Sequence, residues 1–194
     1  MYEERLEYWQ NAHPWLKEKV DSETEFLDNF ISKTNWSMNT NILEIGPGGG
    51  RQMKKVAWIK HKNYYVADIS PNVCNDYMNS LLITWPEYKE NLTEKVQLVH
   101  CWYVIHHVLK DELDNFINFI NRQLTHGGSF IFNYPDFNRT MRPQDFANDG
   151  YGPSGTAKHT RQEIIDSLEK NDMTVIEEKR DSNSHTFAIW AKRI

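Results

Sequence analysis

The sequence predicts an α/β fold with a mostly parallel sheet, and three observations carry that expectation. Asn41-Ile42-Leu43-Glu44-Ile45 is a short, mainly apolar strand that breaks into Gly46-Pro47-Gly48-Gly49-Gly50. Behind the glycines, Arg51 to Ile59 contains neither Pro nor Gly and reads as a helix whose N-terminus faces back into the turn. Further on, apolar runs at 64–69, 96–101 and 129–134 alternate with helical spacings, as strands joined by crossover helices do.

In chain order, residues 2 to 20 set Tyr2, Leu6, Tyr8, Trp9, Trp15 and Leu16 among charges, an amphipathic helix interrupted near Pro14. Ser22-Glu23-Thr24-Glu25 has capping-box spacing, and Phe26, Leu27, Phe30 and Ile31 share a helical face, so a second helix is expected to end near Asn35. At the glycine turn, residues without a Cβ take φ > 0 and let main-chain N–H groups approach a ligand. Tyr64-Tyr65-Val66-Ala67-Asp68-Ile69 is a second strand ending in an acid, where a carboxylate can accept both hydroxyl bonds of a ribose. Ser70-Pro71 supplies an N-cap and a first-turn proline, and Val73, Tyr77, Met78, Leu81 and Leu82 extend the helical spacing to about Thr84. A third strand is then either Leu81-Leu82-Ile83-Thr84 or missing, because Glu87 to Glu94 is short and polar.

Val96-Gln97-Leu98-Val99-His100-Cys101 is the next strand, running into Trp102-Tyr103-Val104-Ile105-His106-His107-Val108. Leu113, Phe116, Ile117, Ile120 and Leu124 mark an amphipathic helix, which Gly127-Gly128 is expected to end before the strand Ser129 to Tyr134. Residues 135–159, with Pro135, Pro143, Gly150, Gly152, Pro153 and Gly155, show no sustained period. A loop this long in a compact domain is usually functional or disordered, and it leaves the rim where open α/β sheets bind ligands. Tyr134, Asp136, Arg139, Arg142 and Tyr151 are therefore candidates for substrate recognition, with a plain surface insertion as the alternative. Thr160-Arg161-Gln162-Glu163 is a second capping box, and Thr174 to Glu178 and His185 to Ala191 close the chain as a hairpin.

The 194 residues suffice for one sizeable core, and 39% hydrophobic with 13% aromatic residues places the chain among globular proteins. A net charge of −5 lacks the basic footprint of a nucleic-acid binder. Cys74 and Cys101 have neither metal-ligand spacing nor a disulfide framework and suit a reducing compartment. With no signal-peptide pattern at its start and no apolar run near ~18 residues, the chain is expected to be cytoplasmic.

The glycine spacing decides between nucleotides. A dinucleotide fingerprint needs glycine at 51, where the chain has Arg51, and the phosphate-loop pattern is absent. The acid-x-G-x-G-x-G of Glu44, Gly46, Gly48 and Gly50 resembles the first motif of the class I S-adenosylmethionine-dependent methyltransferases, and residues 64–69 and 96–108 resemble their second- and fourth-strand motifs. The resemblance spans 36–194 and implies a three-layer α/β/α sandwich, mostly parallel with an antiparallel last strand. It implies that S-adenosylmethionine is held by Glu44, Gly46, Pro47, Gly48, Gly50, Asp68, Ile69, Cys101 and Trp102, with S-adenosylhomocysteine as product. Trp102 and Tyr103 can face the sulfonium through cation–π attraction, or be core. Residues 1–35 resemble the helical extension that many small-molecule methyltransferases fold over their pocket; a cover for the sheet edge is the other reading. No adenine-contacting acid can be assigned.

The expected reaction passes a methyl group to an O, N or C atom of a small-molecule acceptor, and the oligomeric state stays open. A hydroxyl acceptor needs a base, for which His106, His107 and His159 are candidates. Adjacent histidines point in different directions, so His106 and His107 are not expected to share a metal; a structural, hydrogen-bonded role is the alternative for each. Asn133-Tyr134-Pro135-Asp136 looks like the Asn/Asp-Pro-Pro-Tyr motif of amino-methylating enzymes, which keeps a nucleic-acid or protein methyltransferase as runner-up, but its order differs and it follows the fifth strand instead of the fourth. A module that binds S-adenosylmethionine without turnover is the third reading.

Overall fold

The computed structural model describes residues 2–11, 25–33, 38–48, 50, 53, 56, 61–135, 157–181 and 186–194. Its strands are β1 (Asn41–Ile45), β2 (Asn63–Asp68), β3 (Ser80–Leu82), β4 (Val96–Cys101), β5 (Leu124–Pro135), β6 (Met173–Asp181) and β7 (Thr186–Arg193). The helices are α1 (Tyr2–Asn11), α2 (Glu25–Ser32), α3 (Pro71–Cys74), α4 (Leu113–Gln123) and α5 (Arg161–Lys170). The described strands form one sheet in the order β3-β2-β1-β4-β5-β7-β6. Pairing is parallel from β3 across to β5, and β7 runs antiparallel to both its neighbours. The expected architecture, with its antiparallel last strand, is the one observed.

β1 lies at the middle of the parallel part, and all of its residues are buried. Alternation along the strands splits the interior into two cores. Leu43, Ile45, Val99, Cys101, Phe130 and Phe132 face one side, where Phe116, Ile117 and Ile120 of α4 and Ile164 and Leu168 of α5 cover them. Ile42, Leu98, Ile131 and Trp190 face the other, together with Phe30 and Ile31 of α2 and Val56. Layers of helix, sheet and helix result because each sheet face must bury its apolar row. Thr160 begins α5 with the expected capping box: its Oγ1 accepts from Glu163 N at 3.2 Å, and its N donates to Glu163 Oε2 at 2.6 Å.

Two expectations fail. The helix after Ser70 does not reach Thr84; it ends at Cys74, and Leu81 and Leu82 belong to β3. The open edge of β2 accounts for this. Val66 N donates to Asn79 O at 2.9 Å and Ile83 N to Asp68 O at 2.8 Å, so pairing main-chain groups on a buried strand outweighs helical spacing. The strand reading of 81–84 is thus the correct one, over Ser80–Leu82. Secondly, Gly127-Gly128 does not end α4. The helix stops at Gln123, and β5 begins at Leu124 opposite Val96. The next partners are Leu98 and Ser129, so the extra residues of β5, with Gly127 at φ +73°, form an irregularity inside the strand. The second helix ends at Ser32, short of Asn35, and the capping box Ser22–Glu25 starts outside the described residues, as does Pro14.

Phe132 is fully buried and stacks on Phe130 with ring centroids 4.5 Å apart. Phe132→Ala is expected to cost about 3–5 kcal/mol, read in urea as a lower midpoint at unchanged slope.

Candidate active site

The carboxyl ends of β1, β2, β4 and β5 meet on one rim. At the end of β1 the chain enters left-handed backbone, with φ +66° at Gly46, +51° at Gly48 and +76° at Gly50. Gly46 N donates to Ala67 O at 2.8 Å, and Gly50 N closes the turn on Pro47 O at 2.9 Å. A Cβ on Gly46 would lie 2.6 Å from Val104 Cγ2, so the turn is packed directly against the segment after β4. Pro47 is buried beneath it. Tyr77 Oη donates to Gly48 O at 3.3 Å. Sequence reasoning missed Tyr77 because its spacing assigned it to a helix face; only the early end of α3 turns it toward the glycines.

Two acids flank the turn. Glu44 is 2% exposed, and its Oε2 accepts from Tyr64 Oη at 2.7 Å. His100 Nε2 lies 2.9 Å from the same hydroxyl. Asp68, at the tip of β2, accepts from Ser70 N at 2.9 Å through Oδ1. Burial pushes its carboxyl up to about 6, and the main-chain bonds from Ser70 and Ile69 offset only part of that. Ile69, next to it, is half-buried against the first core.

After β4, alternation separates the predicted residues. The Cys101 thiol faces the first core, and burial holds it well above the ordinary thiol range, so what it presents at the rim is main chain. Trp102 joins the second core, with its indole Nε1 buried and unpartnered. Tyr103 takes φ +59°, and its N donates to Asn133 Oδ1 at 2.6 Å. That bond fixes the amide orientation: Asn133, fully buried, keeps its Nδ2 unpartnered. In the sequence Asn133 stands out only within a motif; its role in holding Tyr103 depends on β4 and β5 being neighbours.

The candidate histidines come together. The His106 and His107 rings lie 4.0 Å apart in a short 3-10 turn, and Tyr103 is 5.9 Å from His106. His106 O accepts from Ala157 N at 2.6 Å, which brings the segment bearing His159 beside it. The buried His159 ring donates through Nε2 to Val108 O at 2.7 Å. Burial, with His107 and His159 adding to it, holds the His106 pKa well below the usual range, and burial also lowers that of His159. Both rings are therefore neutral near pH 7, and His106 Nδ1 is buried without a partner. Among the described residues no group of three or more His, Cys, Asp or Glu is arranged to hold a metal ion.

Of the residues expected to recognise a substrate, Tyr134 is placed elsewhere. It follows Asn133 and so faces the opposite side of β5, where its hydroxyl donates to Glu178 Oε1 at 2.9 Å and its ring stacks on Phe187 at 5.4 Å. Asp136, Arg139, Arg142 and Tyr151 lie outside the described residues. The rim is crossed by α1: Gln10 O accepts from Ser70 Oγ at 3.3 Å and Asn72 Nδ2 at 3.0 Å, and the Trp9 ring sits 4.4 Å from His107.

Comparison with known proteins gives a consistent fold. A family model described as a methyltransferase domain matches residues 11–180. No curated protein matches the chain. Among solved structures, an S-adenosylmethionine-dependent methyltransferase from Clostridium acetobutylicum is 14% identical at a TM-score of 0.70, with 93% of this chain and 96% of that one covered. The magnesium protoporphyrin IX methyltransferase of Synechocystis, with bound S-adenosylhomocysteine, is 14% identical at 0.68, covering 98% and 100%. The N-methyltransferase NodS of Bradyrhizobium japonicum, in complex with S-adenosylhomocysteine, is 17% identical at 0.66, covering 97% and 96%. At these identities the likeness is one of fold.

The geometry makes two stability expectations. Gly46→Ala should destabilise by about 2 kcal/mol or more through left-handed strain and overlap with Val104. Adding Val104→Ala should recover the overlap share alone, as measured by chemical denaturation. For Asp68, an unfolded carboxyl titrates near ~3.9, whereas the folded one titrates at about 6. This group therefore lowers stability as pH rises through that window, and the loss is complete above it. Asp68→Asn should melt higher than the parent at pH ~8 and equally near pH ~4; equal melting at both would refute the raised carboxyl.

Proposed function

The chain belongs to the methyltransferase-domain family, and from that premise we propose that it is a cytoplasmic enzyme that methylates a small-molecule acceptor. As a class I member it uses S-adenosylmethionine, whose sulfonium carries the activated methyl group, and yields S-adenosylhomocysteine. The observation that carries the small-molecule reading is α1 lying over part of the rim, with Gln10 on Ser70 and Asn72 and Trp9 against His107, where a macromolecular acceptor would need open access. A net charge of −5 supports it, as does a structural relative named for magnesium protoporphyrin IX. The free, buried Cys74 and Cys101 suit a reducing compartment.

The residues present fit the cofactor. The turn at Gly46, Gly48 and Gly50 is left-handed, and at Gly46 it is packed against Val104, so its main chain stands bare at the rim between Glu44 and Asp68. With Glu44 and Pro47, this turn would hold the methionine end. Asp68 would accept the ribose hydroxyls, an interaction that lowers its raised pKa. Ile69, the Cys101 main chain and Trp102 would line the remaining wall. Tyr103, held left-handed by Asn133, would orient the acceptor beside the methyl group, and the unpartnered Asn133 Nδ2 would donate to an acceptor oxygen. Alignment of this kind supplies roughly 7–11 kcal/mol of rate enhancement. For a hydroxyl acceptor, His106 would serve as the base: its ring is neutral, lies beside Tyr103, and has an unpartnered Nδ1. Residues 1–35 would act as a cover that opens for exchange, with 36–194 as the catalytic domain. The amino-methylating motif loses support because Tyr134 faces the core, bonded to Glu178.

Calorimetry is expected to show S-adenosylhomocysteine binding at about micromolar affinity, roughly −8 kcal/mol. Incubation with S-adenosylmethionine and a panel of small hydroxyl and amine acceptors should release S-adenosylhomocysteine, whereas duplex DNA, RNA and peptides should not support turnover. His106→Asn should keep binding and lower turnover of hydroxyl acceptors about 10²–10⁴-fold. Absence of both heat and thermal shift with either form of the cofactor would refute the reading; binding without turnover on any acceptor would favour a non-catalytic module.

A further inference from the structure

We propose that Tyr64 and His100 are positioning residues that hold Glu44 as an ionised carboxylate at the root of the glycine turn, so that the site selects the ammonium end of its ligand. The inference rests on the cofactor reading above and concerns two residues that neither the motif nor the proposed mechanism uses.

Strand register brings the three together. Glu44 of β1 pairs with His100 of β4, and Ile42 pairs with Tyr64 of β2, so all three side chains emerge on the second-core face. Tyr64 reaches forward to set its hydroxyl 2.7 Å from Glu44 Oε2 and 2.9 Å from His100 Nε2. Glu44 is 2% exposed and His100 fully buried, so water does not decide where the protons lie.

The free nitrogen of His100 decides it. The hydroxyl has one hydrogen. If it points to Glu44, Oε2 accepts with no hydrogen of its own, as in an ionised carboxylate, and His100 donates through Nε2–H to the Tyr64 oxygen. The atom left over is then a lone pair on His100 Nδ1, which has no partner. If the chain runs the other way, Glu44 is protonated, Tyr64 donates to His100 Nε2, and the hydrogen sits on Nδ1 as a buried N–H without a partner. Orphaned buried N–H groups are the rarer and costlier of the two. A doubly protonated ring meets the same objection, and burial pushes the imidazole down to about 3. The chain therefore runs His100 Nε2–H to Tyr64 O–H to Glu44, and every donor points at the acid.

An anion fixed in this way suits a cation. Phosphate-bearing nucleotides are disfavoured beside it, whereas an amino-acid nucleoside can place its ammonium there with a charge-assisted bond. Among the described residues, titratable groups that feel Glu44 include Tyr64 from β2, Tyr77 beyond α3 and Cys101 from β4, each raised above its ordinary pKa by burial first and by Glu44 second, with His100 beside them. Asp68, near Tyr77, is the other acid of the site.

Two ligands that differ at the amino-acid end provide the test. S-adenosylhomocysteine carries the ammonium; 5′-methylthioadenosine keeps the nucleoside and lacks it. In calorimetry at neutral pH, Tyr64→Phe should bind S-adenosylhomocysteine about tenfold or more weakly and 5′-methylthioadenosine as the parent does. The gap to the parent should narrow as pH rises from ~6.5 to ~8.5, because an acid deprived of its donor has a raised pKa and recovers its charge only at higher pH. Glu44→Gln should show the same selective loss, and the double variant should lose no more. His100→Leu, which frees the Tyr64 hydroxyl, should reproduce the loss in part and serves if Tyr64→Phe does not fold. Unchanged affinity in Tyr64→Phe and His100→Leu, equal loss for both ligands, or a gap independent of pH would overturn the proposal while leaving the cofactor reading intact. A parent protein that binds neither ligand would overturn the cofactor reading, and this inference with it.

Discussion

The arrangement depends on the bond from Gly46 N to Ala67 O, made from left-handed backbone pressed against Val104. It joins the ends of β1 and β2 and allows the segment after β4 to close over both. A side chain at 46 would meet two objections at once, strain in φ and overlap with Val104. The nearness of Asp68 and Tyr77 follows from that contact, since both stand on segments beside the turn.

Which residue takes which role then follows from the pleat. The second-core face carries Glu44, Tyr64, His100 and Asn133 among apolar neighbours, while Cys101 and Tyr134, next in sequence to His100 and Asn133, face the first core. The polar groups of the site are therefore concentrated on one face near the ends of four adjacent strands. On the first-core face, buried polar groups such as Glu112 and Gln123 tie loops together: Glu112 accepts from Trp85 Nε1 at 2.7 Å, and Gln123 accepts from Leu92 N at 2.9 Å.

Several buried polar groups near the rim lack full satisfaction, as do Glu90 and, on α4, Asn121 and Arg122. Trp102 Nε1, Asn133 Nδ2 and His106 Nδ1 are buried without partners, and the Asp68 carboxyl is held up to about 6. Each is expected to lower stability.

By itself the sequence determined the order of strands and helices, the glycine turn with its flanking acids, and the capping of α5, because these depend on spacing within a few residues. The resemblance it carried named the family, through short motifs at 42–50, 64–69 and 96–108. It did not separate the end of α3 from β3, since Leu81 and Leu82 fit a helix face as well as a strand; the unpaired edge of β2 settled that. Nor did it place the end of α4, where the pairing of Leu124 with Val96 overrode the glycine signal. Tertiary structure alone turned Tyr134 away from the site, brought His159 beside His106 and Tyr77 onto Gly48, and joined Glu44 to Tyr64 and His100. These pairings join residues far apart in sequence, and only the register of neighbouring strands decides which side chains share a face.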